Sequence, residues 1–275
     1  MCSENSNECD STKIEIFLDT SIHIARLKSR KLKKTIGDTL NLYAWRGTCG
    51  YAKLEYGNNI LSIAGFLLDK LKEKGRLERL RFYMHNELPQ LYYGKHVTWF
   101  SNLLHAYFNE PEATERAERS LRHLLRMGTD AVSALCDETR DGIKCSWANQ
   151  DRSVRWKNPS RSKFSRAVCR IDEFFAENQV LFCSIRDAIR KLKADMMTDE
   201  LQRFAELIDQ ACQNPKILRD CGKCPGLADA LIAVHSHSYG SFFTQNIAES
   251  QVLCPVMKQK LVYLPQGLGG LPEVH

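Results

Sequence analysis

Apolar positions along this chain follow two spacings, one short and dense, the other recurring every three or four residues. Residues 14–18 (IEIFL) are apolar at four positions of five, β-branched or aromatic in part, and closed by Asp19-Thr20-Ser21. That pattern predicts a short buried strand. "SIHIARLKSRKLKK" follows as a helix start with a basic run on its solvent side. In "GTCGYAKLEYGNNILSIAGFLLDKLKEKG", Leu54, Ile60, Leu61, Ala64, Leu67, Leu68 and Leu71 keep helical spacing and Gly75 closes the run, which predicts one long helix. From residue 76 to 177 strand patterns nearly vanish. "QLYYGKHVTWFSNLLHAYF" and "EPEATERAERSLRHLLRMGTDAVSALC" are expected to be helices, the second amphipathic with Pro111 near its start. "DRSVRWKNPSRSKFSR" has no carboxylate after Asp151 and is expected to be a loop.

Past this block, residues 179–184 have the texture of a short strand, followed by a helix through "IRDAIRKLKADMMTDELQRFAELIDQA". "CGKCPGLADALIAVHSHSYGSFFTQN" predicts turn, helix, turn and strand, and residues 260–265 (KLVYLP) a last strand. Strands alternating with helices predict an α/β fold with a parallel sheet. The expected organisation is a discontinuous core over residues 13–75 and 178–264, a helical insertion over 76–177, and tails at 1–12 and 265–275.

Composition narrows the class. Hydrophobic residues make up 43% and charged residues 26%, ordinary for a soluble globular protein, and no apolar run is long enough to span a bilayer. The first residues, MCSENSNECDSTK, lack the basic and apolar regions of a secretory signal. Eleven cysteines are an odd number, and most sit in apolar or helical stretches, so they are expected to be free thiols in a reducing, cytoplasmic setting. A net charge of +6 suits a polyanionic partner.

Three acids stand out. In an open parallel sheet, ligands sit beyond the carboxyl ends of the strands, where Asp19 would point; a helix N-cap is the plainer role for such a residue. Asp229 is the only charged residue in "PGLADALIAV". A carboxylate on so apolar a helix needs a partner, a proton or a metal. Glu55 lies on a polar stripe with Tyr51 and Asn59, a pattern that an exposed surface glutamate would share.

Together, "FLDTS", "YAKLEYGNNI" and "GLADALIAVHSHSYGSFFTQN" resemble the ordered signature of PIN-domain nucleases, most closely the VapC-type toxins of toxin–antitoxin pairs. The resemblance implies a three-layer α/β/α fold in which Asp19, Glu55 and Asp229 hold a divalent metal. Asn246 matches the fourth position, Thr244 the threonine before it, and Glu249 the place where a further acid often stands. It also implies that Asp19, Glu55, Asp229 and Asn246 form the catalytic set, with Thr20, Ser21 and Thr244 facing substrate. Asn246 in place of an aspartate removes one charge from the seat of a second metal. The chemistry agrees independently: clustered carboxylates raise one another's pKa unless a cation joins them, and hard oxygen ligands select Mg2+ or Mn2+.

The remaining signals concern partners. Residues 26–34 hold six Lys or Arg and no acid. Residues 152–166 hold another six, including Arg152, Arg155, Lys157 and Arg161, interleaved with Trp156 and Phe164. Cations with aromatics suit phosphates and unstacked bases, so the second run is expected to contact RNA, single-stranded or structured. Cys221 and Cys224 form a lone CxxC near His235 and His237, a weak zinc pattern because the two histidines face different ways on a helix. His23 is expected on a helix surface. The leading expectation is a metal-dependent endoribonuclease with an antitoxin or other regulatory protein as partner and a homodimer as one assembly. The alternatives are a nuclease acting on DNA or on particular structures, and a PIN-like module that binds RNA or protein without cutting.

Overall fold

The computed structural model describes residues 15–28, 30–86, 112–144, 169–219 and 224–264. The aromatic-rich segment "QLYYGKHVTWFSNLLHAYF" and the basic run with Arg152, Arg155, Trp156, Lys157 and Arg161 lie outside them.

The chain begins with β1 (Glu15–Leu18), α1 (Thr20–Lys28), α2 (Arg30–Leu40), β2 (Trp45–Cys49) and α3 (Gly50–Tyr56). A π-helical turn over Gly57–Leu61 joins α3 to α4 (Ser62–Lys74), and α5 (Leu77–Asn86) follows. Next come α6 (Ala113–Met127), α7 (Asp130–Ser133), β3 (Glu138–Arg140), α8 (Ile171–Glu177), α9 (Gln179–Arg190) and α10 (Asp199–Gln213). The last elements are α11 (Ala228–Ser236), β4 (Ser241–Thr244), α12 (Ile247–Val256) and β5 (Lys260–Tyr263). The strands form the expected parallel sheet, five-stranded in the order β3-β2-β1-β4-β5.

Alternation along β1 explains why both sheet faces are covered. Ile16 and Leu18 join Phe243 in a cluster with Ile22, Ala25, Leu32, Ile36 and Leu40 of α1 and α2. Phe17 and Phe242 point the other way, into the large core made with α8 to α12. A third cluster stands apart from the sheet: α4, α5, α6 and α7 bury Leu67, Leu71, Leu80 and Leu121 against one another. None of the described helices is long and apolar enough to cross a membrane.

Four expectations are corrected here. Residues 179–184 are helical: Phe182, Ile185 and Ile189 are buried while Val180 is 79% exposed, a three-to-four spacing too long to register in a six-residue window. Residues 47–49 belong to a strand, and the long helix starts at Gly50. The helix expected from residue 185 to 211 is two, α9 and α10, the second capped by Thr198, whose hydroxyl accepts from the Leu201 N–H at 3.1 Å.

The fourth correction concerns the block 76–177, which is not wholly an insertion. It supplies the edge strand β3, and α8 packs Ile171, Phe174 and Phe175 into the large core. β3 has no apolar side chain to announce it. It is held instead by polar contacts: the Tyr239 hydroxyl donates to Glu138 at 2.7 Å, and Arg140 donates to Ser238 at 2.6 Å and to the His235 carbonyl at 3.1 Å.

Candidate functional site

β1 is the central strand from which the sheet order runs both ways, towards β2 on one side and β4 on the other. At such a reversal the connections leave in opposite directions and open a crevice beyond the strand ends. Asp19 lies one residue past β1, and its backbone N–H donates to Phe243 of β4 at 3.0 Å. The carboxyl is 5% exposed. Its Oδ2 accepts from the hydroxyls of Ser21 and Thr244, the latter at 2.8 Å, and from the Ser21 N–H at 3.3 Å. The Ser21 hydroxyl in turn accepts from the Gln245 N–H at 2.8 Å, and Thr244 from the Asn246 N–H at 2.9 Å. The two central strand ends are therefore stitched together through the three hydroxyl-bearing or acidic residues that the sequence marks there.

α3 enters from the end of β2 and brings Glu55 to α1, where the Thr20 hydroxyl donates to its Oε2 at 2.7 Å. Glu55 is half-buried, not a surface residue. Asp229 sits in the first turn of α11, whose residues from Ala230 to Ser236 are all buried, and it accepts from the Asn246 side-chain amide at 3.2 Å. Burial raises the Asp229 carboxyl well above the usual range, and the charges of Asp19, Glu55, Glu249 and Glu200 add to the shift. Five acids, one past the end of β1 and four on separate helices, thus lie within electrostatic reach of one place.

Glu200, in the first turn of α10, carries no signal of its own in the sequence. After the capping Thr198 it looks like any acid that favours a helix N-terminus. Its charge acts on Glu249 at the start of α12, which is 5% exposed and raised chiefly by burial, with the neighbouring Glu200 carboxyl adding to the shift.

Burial also pushes Glu55 up to about 7, with the Thr20 hydrogen bond opposing the shift and the Asp19 charge reinforcing it. A carboxyl raised in the folded state holds its proton there at pH values where the unfolded chain has released it. Stability therefore falls as pH rises between 4.5 and about 7. The loss over that window is on the order of 3 kcal/mol, and Glu55→Gln should flatten it. Urea denaturation of metal-free protein across the window checks this; an equal pH slope in the variant would remove Glu55 from the coupled set.

As the side chains stand, no group of three or more His, Cys, Asp and Glu among the described residues is arranged to hold a metal ion. The donor set is nevertheless all hard oxygen, mutually repelling, and includes Glu249 Oε2, which has no hydrogen-bond partner. A divalent cation suits such a set, and it would compete with Thr20 and Ser21 for the same carboxylate oxygens.

Other marked residues lie elsewhere. His23 is 1% exposed, not on a helix surface; neither ring nitrogen has a partner, and burial with the Arg26 charge lowers it to about 3, so it is neutral. His235 is buried, bonded through Nδ1 to the Leu231 carbonyl at 2.7 Å and stacked on Phe174 at 4.2 Å. Cys221 lies outside the described residues, and Cys224 meets the Tyr51 hydroxyl at 3.7 Å. In the first basic run, Arg30, Lys31, Lys33 and Lys34 are exposed on α2, whereas Arg26 turns inward to the Ala131 carbonyl at 3.4 Å. No family profile, no curated protein sequence and no solved structure matches this chain.

Proposed function

We propose that this protein is a metal-dependent nuclease of PIN-like architecture that hydrolyses phosphodiester bonds of RNA. The observation that carries the reading is the meeting of Asp19, Glu55 and Asp229, from three separate elements, at the point where the strand order reverses. Carboxyls such as Glu55 and Asp229, held up by burial and by the Asp19 charge, make a poor structural arrangement and a good cation seat. Asp19, Glu55 and Asp229 would hold Mg2+ or Mn2+, with Glu249 beside them. When bound, the cation activates water near neutral pH and neutralises charge on the phosphoryl group.

The chain's own residues do the rest. Ser21 and Thr244 fix the Asp19 carboxyl from one side, and Thr20 fixes Glu55. The Asn246 amide keeps Asp229 turned towards the crevice. The exposed cations of α2 supply a surface for the phosphate backbone. The basic run at residues 152–166, an antitoxin-like regulatory protein and a homodimer belong to the same proposal.

A second reading follows from the lack, among the described residues, of a ready-made cage of three metal ligands: a module that binds RNA or protein without chemistry. One assay separates the readings. Purified protein is incubated with RNA and with DNA, in Mn2+ or in EDTA, and the product ends are characterised. We expect RNA cleaved only with metal, leaving 5′-phosphate and 3′-hydroxyl ends, because water attacks and the 2′-hydroxyl is not needed. Ends carrying a 2′,3′-cyclic phosphate would sink the carboxylate mechanism, and intact RNA under all conditions would favour the binding module.

A further inference from the structure

Two thiols meet away from the acid site. The Sγ atoms of Cys183 on α9 and Cys212 on α10 stand 3.4 Å apart, both residues half-buried and both free. The packing of the two helices puts them there. Phe182, Ile185 and Ile189 of α9 and Phe204, Ile208 and Ala211 of α10 turn into the large core. Along the edge of that seam Arg186 pairs with Asp209 at 3.2 Å, and Arg190 reaches the same carboxylate. One turn back from Arg186 along α9 is Cys183, and one turn on from Asp209 along α10 is Cys212. Pairings that step back along one helix as they step forward along the other make the two antiparallel, and the ion pairs hold the register in which the thiols touch.

Cys49 and Cys254, by contrast, are enclosed in the core, out of reach of a reagent in solution. Burial raises the Cys212 thiol above its usual range, the neighbouring Cys183 adds to the shift, and the Arg186 charge opposes it. Cys212 therefore keeps its proton near neutral pH and resists chance oxidation. We propose that Cys183 and Cys212 are a site of reversible disulfide formation, oxidised by exchange with a low-molecular-weight disulfide. The thiolate of one cysteine attacks a sulfur of the small disulfide, whose S–S bond breaks, leaving a mixed disulfide and one small thiolate. The other protein thiolate then attacks the protein sulfur of the mixed disulfide and expels the second small thiolate. The protons given up by the two cysteines end on the two small thiols. An electron pair passes from the cysteines to the small disulfide. Shortening the contact from 3.4 Å to a bond of about 2.0 Å asks for rotation of the two side chains within the register already set. The inference is independent of the nuclease reading.

The test equilibrates the full chain in glutathione buffers of graded reduced-to-oxidised ratio, blocks the remaining thiols by alkylation, and maps the peptides by mass spectrometry. As the ratio turns oxidising, Cys183 and Cys212 should lose alkylation together and appear as one linked peptide pair, and dithiothreitol should restore both. The urea midpoint should shift upwards in the linked form, because the bond closes a loop in the unfolded chain. Cys183→Ser and Cys212→Ser, each a close match in size at a half-buried position, should give no link and no oxidant-dependent shift. If either variant fails to fold, the wild-type map alone decides. Alkylation of both cysteines at every ratio overturns the proposal, as does a glutathione adduct that persists on either one without the link. A link that forms without raising the midpoint overturns it as well, since the helices would then have to part to make the bond.

Discussion

Asp19→Asn removes RNA cleavage while the protein stays folded: that is the result expected of the first variant to make. The carboxyl lies at the meeting of β1, β4 and α1, and its charge contributes to the raised pKa of both Asp229 and Glu55. An amide keeps the size and one acceptor for the Ser21 and Thr244 hydroxyls but discards the charge. Activity should fall by roughly 10³-fold, the upper range for losing one electrostatic contact to a transition state. Without metal, the variant should melt no lower than wild type, because one mutually repelling charge is gone. Parallel measurement of cleavage rate and metal-free melting temperature decides the matter. Cleavage within a few-fold of wild type would take Asp19 out of the site, and a sharp drop in melting temperature would make its role structural.

The largest expected effect on stability lies at Gly47 in β2. A Cβ there would stand 2.1 Å from the Tyr239 hydroxyl oxygen and 2.3 Å from the ring carbon that carries it. Tyr239 cannot retreat freely, since it packs edge-on against Phe17 at 5.2 Å and donates to Glu138, and the Arg140 guanidinium lies over its ring at 4.7 Å. Gly47→Ala should cost about 1–3 kcal/mol from overpacking, with a further loss if the Glu138 bond breaks. Gly240→Ala, where nothing lies within 4 Å, serves as the control and should change little. Chemical denaturation of both, with the double variant Gly47→Ala/Tyr239→Ala, provides the check. Removing the ring should relieve the clash, so the double variant should lose less than the sum of the singles. Equal losses at Gly47 and Gly240 would show that β3 is not held through Tyr239.

The same contacts explain which parts of the fold could be read in the chain. β1, β4 and β5 carry the apolar residues that a buried strand needs, and α11 is apolar on nearly every face, so each has a local signature. β2 and β3 do not. Gly47 is small because Tyr239 occupies the space beside it, and Glu-Thr-Arg in β3 pairs at the sheet edge through partners about a hundred residues away. The first half of α9, residues 179–184, reads as a strand because Val180, Leu181 and Phe182 are consecutive and apolar, and the helical spacing to Ile185 and Ile189 shows only over a longer stretch. Among the acids, Asp19 and Asp229 were conspicuous for standing alone at the edge of apolar runs. Glu55 needed the Thr20 contact to distinguish it from a surface residue, and Glu200 needed its nearness to Glu249 of α12, a relation that no short window contains.

The continuous helical rod from Gly50 to Lys74 serves two places at once. Its second turn carries Glu55 to the crevice, and its later turns carry Leu67 and Leu71 into the cluster with α5 and α6. At about 1.5 Å per residue the rod spans on the order of 35 Å, and the only break in its regular winding is the π turn directly after Tyr56. Mechanically this is a lever with a compliant joint beside its working tip. A load on the outlying helices is delivered to a single carboxylate, so displacing Glu55 by a fraction of an ångström would throttle the site while its mouth stayed open.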